Sequence, residues 1–282
     1  MSGSGVPAGS EPSGGVRRGA GVPGPMLADL TWHEVRDAAA RGAGVVVPVG
    51  ATEQHGPHLP LSTDAVLASE LARAVAARLD LLVAPPIAYG YRSRPLSGGG
   101  EGFPGTVSLS ARTLMSLAED VLVALAASGF RRLALLNWHF ENSNFVYEAA
   151  WLAHERRRDD GTRIMVVEAA FSELSPEVMS ALFGSEFPGW DVEHAAVLET
   201  SLMLHLAPEL VRFDRAVDDA AARHPSYDMV PPPADFVPES GVLWKATRAS
   251  AAKGAAAWPE IVARVSAAMS TELELGEASP RG

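Results

Sequence analysis

The stretch VVVPVGATEQHGPHLPLSTD, residues 45–64, joins a short apolar run to a loop that is rich in acids and histidines. The apolar run ends at a glycine, a pattern that predicts a buried strand followed by a turn. Glu53, His55, His58 and Asp64 come directly after it. Ligands of α/β proteins bind beyond the carboxyl ends of strands, and carboxylates mixed with imidazole suit zinc, manganese or iron(II). For this loop alone, solvated surface residues are an equally good interpretation.

Two further clusters have the same form. LALLNWHFEN, residues 133–142, is a second apolar run that ends in His139 and Glu141, and WDVEH, residues 190–194, precedes Glu199. Three such clusters in one chain are hard to explain as solvated surface residues. Clusters that offer Glu-x-His…Asp and His-x-Glu form a suitable ligand set for two metal ions that share one carboxylate. Such a pair polarises a carbonyl and lowers the pKa of water, so the pattern predicts metal-assisted hydrolysis.

Composition narrows the class of protein. The chain has 282 residues, of which 47% are apolar, which is enough for one large domain or two small ones. Its net charge of −11 argues against nucleic acid and anionic membrane surfaces as partners. It contains no cysteine, so any metal must bind to His, Asp and Glu. No apolar run approaches membrane-spanning length and the N-terminus lacks an apolar signal core, so a cytoplasmic location is expected.

Domain limits follow from the same composition. Residues 1–25 are mostly Gly, Ser, Pro and Val and are expected to form a disordered leader, whereas residues 271–282 are expected to form a flexible tail. Residues 26–270 alternate strand and helix patterns, which predicts a single α/β domain with a mostly parallel central sheet and helices on both faces. Strands are predicted over 45–49, 81–84, 133–136 and 163–167, and helices over 32–41, 65–79, 110–128, 144–158, 194–206 and 246–269.

Several motif residues have competing structural explanations. Asp64 lies at the predicted start of a helix, where an acidic residue is often a plain N-cap. The glycines of SGGG, residues 97–100, allow backbone to approach a ligand closely, but glycine content alone slightly favours a flexible surface loop. Trp138 and Trp190 could form a flat apolar wall for a small planar substrate, although core packing is the commoner role of tryptophan.

Acid–base chemistry points to His194. This side chain could shuttle a proton while Glu193 or Glu199 orients or tunes it. A lone histidine on a helix is more often structural, so the assignment depends on the surrounding acids. Separately, residues 211–238 are rich in proline and charge, and we expect this segment to wrap the surface or contact a neighbouring subunit.

The motifs together resemble the creatininase (creatinine amidohydrolase) family. VPVGATEQHGPHLPLSTD, YGYRS…SGGGEGFPGT, NWHFENSNF and GWDVEHAAVLETSLML carry the resemblance, which extends over residues 30–254. The SGGG…FPGT and GWDVEH…ETSLML stretches are more similar to creatininase proper than to the family's formamide hydrolases or its mycofactocin-peptide peptidase. The resemblance implies a cytoplasmic homohexameric α/β enzyme that uses two divalent ions, zinc and manganese, to open the ring of creatinine to creatine.

The resemblance also implies a role for each motif residue. One ion would bind to Glu53, Asp64 and His139. The other would bind to His55, Asp64 and Glu141, which makes Asp64 the bridge. His194 would relay a proton to the ring nitrogen. From the residues themselves, Glu199 is the second predicted catalytic residue, because it could orient or tune His194. The predicted substrate contacts are Ser97, Trp138, Phe140, Trp190, Asp191 and His194.

Three positions differ from the creatininase pattern. Creatininase has NGHYEN where this chain has Trp138 and Phe140, so a hydroxyl that contacts substrate is lost. An aromatic lid residue, a tryptophan in creatininase, falls in residues 167–171, where Ala170 is the best match and Trp138 could fill the space. The pocket is therefore expected to be reshaped. A related cyclic amide, a cyclic guanidine and a small linear amide are the alternative substrates.

Two alternatives from other functional classes stay open. A metal-binding protein without catalysis would keep the site for assembly, although a complete ligand set together with His194 argues against this role. A dinuclear phosphatase would be expected to bring cationic side chains into the pocket, and only Arg92 and Arg94 lie near a candidate loop.

Overall fold

The computed structural model describes residues 24–169, 174–221 and 225–278. Nearly all of the predicted leader lies outside these residues, and so does Ala170. Within them the chain forms one parallel sheet of four strands in the order β2-β1-β3-β4. The strands are β1 (Gly44–Val49), β2 (Leu81–Val83), β3 (Arg132–Asn137) and β4 (Arg163–Glu168). The predicted α/β fold with a parallel central sheet is confirmed.

Seven α-helices cover both faces of the sheet in the described part of the chain. One face carries α1 (Trp32–Ala40), α3 (Ala111–Ala127) and α4 (Ser143–Arg156), which pack with Val45, Val47 and Val49 of β1. The other face carries α2 (Thr63–Ala76), α5 (Pro176–Phe183), α6 (Val197–Leu206) and α7 (Ala251–Glu272), which pack with Val46. The continuous apolar run of β1 is thus explained by burial on both faces, as is usual for a central parallel strand.

Polar capping residues set the helix starts. The Thr31 side chain accepts from the Glu34 N–H, and the Glu34 carboxylate accepts from the Thr31 N–H at 2.7 Å, which is the capping box expected from their spacing. The short helix α5 is absent from the sequence prediction. Its start carries two recognised signals, because Ser175 caps it and Pro176 occupies its first position.

The C-terminal segment differs from the flexible tail expected over residues 271–282. Helix α7 continues to Glu272, and Leu273 and Leu275 are buried in the larger core. Burial of these apolar side chains holds the segment against the domain. The packed part of the chain therefore continues past the limit of residue 270 that composition predicts, and the Ala278 N–H donates to the Arg78 carbonyl at 2.9 Å.

Short 3-10 turns connect α6 to α7. They lie at Pro208–Leu210, Phe213–Arg215, Ala234–Phe236 and Ala246–Arg248. The helix expected from residue 246 begins instead at Ala251, where the Ser250 side chain caps it. Among the described helices, none combines the length and the apolarity that a membrane crossing requires.

The sheet brings two of the acid and histidine clusters to one edge. Strands β1 and β3 are adjacent and parallel, with Val49 opposite Asn137 at their carboxyl ends. The Trp138 N–H extends this pairing by donating to the Val49 carbonyl at 2.9 Å. The loops that carry Glu53 and His139 therefore start side by side.

Candidate active site

Glu53, Asp64 and His139 form a buried group that could hold a metal ion. The Nδ1 atom of His139 lies 3.1 Å from Oδ2 of Asp64 and 3.3 Å from Oε2 of Glu53. Both oxygens are buried and have no hydrogen-bond partner among the described residues. Converging nitrogen and oxygen atoms of this kind suit a divalent cation. The structure thus groups the three residues that the resemblance assigns to the first ion.

A second buried group consists of His55, His194 and Glu199. The Nε2 atom of His55 lies 3.1 Å from Oδ1 of Asp64 and 3.6 Å from Oε2 of Glu199. The rings of His55 and His194 are 4.4 Å apart. Asp64 therefore presents one carboxylate oxygen to each group, which is the arrangement expected of a bridging ligand. Helix α6 delivers Glu199 from its first turn, a contact that sequence spacing does not reveal.

Glu141 lies beside these groups and is a member of neither in the described structure. Its Oε2 is 3.5 Å from Nε2 of His139, and its Oε1 accepts hydrogen bonds from the Arg94 N–H at 3.1 Å and from the Ser97 hydroxyl. Residues 94 and 97 thus hold this carboxylate at the edge of the site. The assignment of Glu141 as a ligand with His55 stays a prediction.

Backbone carbonyls orient both ligand histidines. The Nε2–H of His139 donates to the Tyr91 carbonyl at 2.8 Å, and the Nδ1–H of His55 donates to the Glu53 carbonyl at 3.1 Å. Each bond leaves the other ring nitrogen facing the carboxylates. Metal-binding histidines usually donate their second N–H in this way, because the bond fixes the tautomer and raises the basicity of the ligand nitrogen.

The buried carboxylates of the two ligand groups favour the binding of positive charge, either as protons or as metal ions. Burial alone would lower the pKa of His55, but Asp64 and Glu199 outweigh it and raise that pKa to about 10. Burial raises the pKa of Glu53 and that of Glu199 to about 7. Burial also disfavours the charge of Asp64, yet the adjacent His55 and His139 hold the pKa of Asp64 below its ordinary value. Without metal, protons supply the positive charge that divalent ions would otherwise bring.

Metal uptake is therefore expected to release protons and to weaken as the pH falls. His55 keeps its proton below its raised pKa of about 10, and Glu53 and Glu199 keep theirs below about 7. Between about pH 8 and about pH 6, the apparent affinity for zinc should fall at least about tenfold. Titration calorimetry in buffers of different ionisation enthalpy measures the released protons. An affinity that is constant over this range would contradict the assignment.

The glycine-rich loop, residues 97–100, packs its backbone against Glu53. A Cβ atom at Gly98 would lie 2.8 Å from Oε1 of Glu53, and one at Gly100 would lie 2.6 Å from the same atom. Gly99 adopts a φ of +65°, where a side chain is disfavoured. All three glycines are buried, unlike those of a flexible surface loop. The close approach that the glycines permit is therefore to a candidate metal ligand.

A cleft opens onto both ligand groups. Its lining includes five of the predicted substrate contacts, namely Ser97, Trp138, Phe140, Trp190 and His194. The sixth, Asp191, is exposed in the turn Trp190–Val192 and is not among the described residues that line the cleft.

Trp138 has a role that the sequence analysis does not anticipate. Its indole belongs to the larger core and is only 2% exposed. Its Nε1–H donates to Oε1 of Glu199 at 3.3 Å, while Oε2 of Glu199 accepts from the Ala195 N–H at 2.8 Å. Trp138 therefore combines both of its proposed roles, core packing and cleft wall, and also orients a carboxylate of the site.

His58, the other histidine of the first loop, lies outside both ligand groups. Its Nε2 is 2.8 Å from the Thr200 hydroxyl oxygen. Burial, together with the charge of His55, lowers the pKa of His58 to about 4, so the ring is neutral. The contact ties the first loop to α6 next to Glu199.

Ser93 and Gln54 are further site residues that the sequence analysis does not single out. The Ser93 hydroxyl donates to Oε1 of Glu53. The Gln54 side-chain amide donates to the carbonyls of Gly98 and Gly241, at 2.9 Å each. Both residues lie within the quoted motifs, so their proximity in sequence to predicted ligands is the signal that points to them.

Comparison with known proteins accounts for this arrangement. The Creatininase family profile, described as creatinine amidohydrolase, matches residues 28–269. The chain belongs to the creatininase family. Within this family, the creatinine amidohydrolase of Pseudomonas putida is 42% identical over 233 residues, which cover 81% of this chain and 90% of the relative. A mycofactocin precursor peptide peptidase of Mycobacterium tuberculosis is 33% identical over 244 residues, which cover 82% and 86%.

Solved creatininase structures share the fold of this family member. A creatininase variant of Zn-Zn type superposes with a TM-score of 0.85 at 38% identity, covering 88% of this chain and 98% of that one. A manganese form gives the same TM-score and identity over 89% and 99% of the two chains. Another structure shows the same variant as the Zn-Zn form, complexed with creatine. The chain is thus a creatininase-family hydrolase acting on C–N bonds, with two buried candidate metal sites.

Proposed function

We propose that this family member is a two-metal amidohydrolase that opens the lactam ring of creatinine to give creatine. The observation that carries the proposal is the position of Asp64, whose two oxygens face His55 and His139 at 3.1 Å each within one buried cluster. The 42% identity to creatinine amidohydrolase and the related variant that holds creatine support this substrate.

The residues present fit two divalent ions, zinc or manganese as in the related structures. One ion would bind to Glu53, Asp64 and His139. The second would bind to His55 and Asp64, completed by Glu141, as the resemblance implies, or by Glu199, as the distances favour. When bound, such a pair polarises the substrate carbonyl and makes water a nucleophile near neutral pH.

We infer that His194 moves a proton. Its Nε2 lies 2.9 Å from the Gln54 backbone carbonyl oxygen, which only accepts, and 3.0 Å from the Gln54 side-chain nitrogen. Both hydrogens of that nitrogen go to the Gly98 and Gly241 carbonyls, so Nε2 of His194 carries the hydrogen and Nδ1 is the basic atom. Burial and the charge of His55 hold the pKa of His194 well below its ordinary value, so the ring is neutral and, once protonated, gives its proton up readily. His194 would deliver that proton to the ring nitrogen that leaves as the C–N bond breaks.

The cleft suits a small, flat substrate. Trp138, Phe140 and Trp190 supply aromatic surface, and Ser97 lies at the edge where Glu141 is held. Aromatic walls exclude water and orient a planar ring, while a few polar groups select its functional groups. A compact lactam whose ring includes a guanidine group matches this combination.

A second candidate function is hydrolysis of a small linear amide with the same metals. Phe140 favours it, because the substrate-contacting hydroxyl of the creatininase pattern is missing at this position. The relative named mycofactocin precursor peptide peptidase, at 33% identity, belongs to the same family.

Ring opening of creatinine by the purified protein tests the proposal. Protein supplied with zinc or manganese should turn over at about 1 per second or faster, and chelator-treated protein should be inactive until metal is restored. Metal-dependent hydrolysis of a peptide amide without creatinine turnover would favour the second candidate function. Failure to hydrolyse any amide would contradict both.

Replacing Phe140 with tyrosine is expected to lower KM for creatinine about fivefold, with little change in kcat. The side chain lines the cleft and is 42% exposed, so a new hydroxyl could reach substrate without being buried unpaired. One added hydrogen bond contributes about 1 kcal/mol, which corresponds to this factor. Steady-state kinetics measure the change, with Phe213→Tyr at a similarly exposed position outside the cleft lining as the control. An unchanged KM would show that position 140 does not contact creatinine, and a raised KM would contradict the expected hydrogen bond.

The homohexamer and the cytoplasmic location that the resemblance implies stay predictions. Sedimentation of the purified protein measures the first directly, and fractionation of expressing cells measures the second.

A further inference from the structure

The two carboxylate oxygens of Glu53 have different surroundings. Oε2 lies 3.3 Å from Nδ1 of His139 and has no hydrogen-bond partner among the described residues. Oε1 instead accepts a hydrogen bond from the Ser93 hydroxyl. A carboxylate can bind a cation through one oxygen or through both, so this difference bears on how Glu53 coordinates.

The direction of the Ser93 hydrogen bond follows from its neighbours. The Gly100 N–H, which can only donate, points to the Ser93 hydroxyl oxygen at 2.9 Å. The single hydroxyl hydrogen is therefore available to Glu53, whose oxygens only accept once the carboxylate is ionised, as a metal ligand must be. A chain of hydrogen bonds thus runs from the Gly100 amide through Ser93 to Oε1, and all three residues are buried.

The glycine-rich loop closes the space around this chain of bonds. The Cβ position at Gly98 lies 3.0 Å from the Ser93 Cβ and 2.8 Å from Oε1 of Glu53, so loop, hydroxyl and carboxylate form one close-packed unit. Packing this tight leaves little room for a water molecule to replace the hydroxyl. Loss of the hydroxyl would therefore leave Oε1 without its donor in a buried position.

We propose that Ser93 is a positioning residue for metal binding: it holds Oε1 of Glu53, so that Oε2 alone is presented to the ion shared with Asp64 and His139. The inference rests on the proposed function, because it requires the site to take a metal ion. Donors that act through a ligand in this way fix its orientation, and their loss typically lowers metal affinity about 10- to 100-fold.

Replacing Ser93 with alanine is expected to lower the affinity for one of the two ions about 10- to 100-fold, while the affinity for the other stays the same. Competition between the protein and a calibrated zinc chelator measures both affinities, independently of turnover. Ser108→Ala is the matched control, because Ser108 also donates to a glutamate, Glu101, but at the exposed surface. Cooperative thermal unfolding of the metal-free Ser93→Ala variant confirms that it folds, so that a lower affinity reports on the site and not on misfolding.

A double-mutant cycle identifies the affected ion. Glu53→Gln should lower the affinity for the same ion. Adding Ser93→Ala to that variant should lower this affinity little further, because Ser93 acts only through Glu53. Full wild-type affinity for both ions in Ser93→Ala would overturn the inference, and so would an equal weakening of both ions. A wild-type protein that binds no metal would instead contradict the proposed function, so the two failures are distinguishable.

Discussion

Asp64→Ala is expected to lose both metal ions and to turn over at least about 1,000-fold more slowly than the wild type, since each ion contributes several kcal/mol of transition-state stabilisation. Asp64 is the shared residue, with Oδ1 facing His55 and Oδ2 facing His139, so its loss removes a ligand from both groups at once. Elemental analysis after dialysis measures the bound metal, and kcat/KM measures the activity.

Two further variants make the Asp64 result specific. Asp64→Asn keeps the volume of the side chain but removes its charge, and it should lose metal almost as fully. Asp80→Ala removes a surface carboxylate that pairs with Arg41, and it should keep both ions and full turnover. If Asp64→Ala retains either ion at wild-type affinity, or retains turnover, then Asp64 does not bridge the site.

His194→Gln is expected to lower kcat about 100- to 10,000-fold while KM and both metal ions stay close to wild type. The reason is that the variant removes the basic Nδ1 atom but leaves Glu53, Asp64 and His139 in place. Single-turnover kinetics measures the rate of the chemical step, and a chelator-based count measures the bound metal in the same preparation.

The same variant separates two roles for His194. The ring lies near His55 and Glu199 in the second ligand group, so it could bind the ion itself. Loss of one ion from His194→Gln would make the residue a ligand and would contradict its assignment as the proton carrier. His205→Gln, at the exposed end of α6, is the control and should change neither metal content nor kcat.

Local sequence signals were sufficient for the sheet and for bringing the first two acid and histidine clusters to one edge of it. An apolar run that ends in acids and histidines predicts a strand that delivers them to its carboxyl end, and the adjacent positions of β1 and β3 then place Glu53 beside His139. The alternative for Asp64, a helix N-cap, fails in the structure. Helix α2 begins at Thr63 after Ser62, which makes no side-chain capping bond, and both oxygens of Asp64 face histidines.

Contacts between distant segments could not be predicted in the same way. Glu199 meets His55 only because α6 packs against α2 on the same face of the sheet, and nothing in the spacing of the two residues encodes that packing. Trp138 follows its strand as predicted, but its hydrogen bond to Glu199 depends on the same tertiary contact. Ser93 is similar, since its role depends on how the glycine-rich loop folds over Glu53.

The metal positions themselves test the account most directly. Anomalous diffraction from crystals of the zinc-loaded protein should show two ions per chain, one bound to Nδ1 of His139 and the other to Nε2 of His55. Asp64 should contact both ions, with oxygen–zinc distances of about 2.0–2.2 Å. One ion alone, or two ions that do not share Asp64, would contradict the two-metal site on which the proposed chemistry depends.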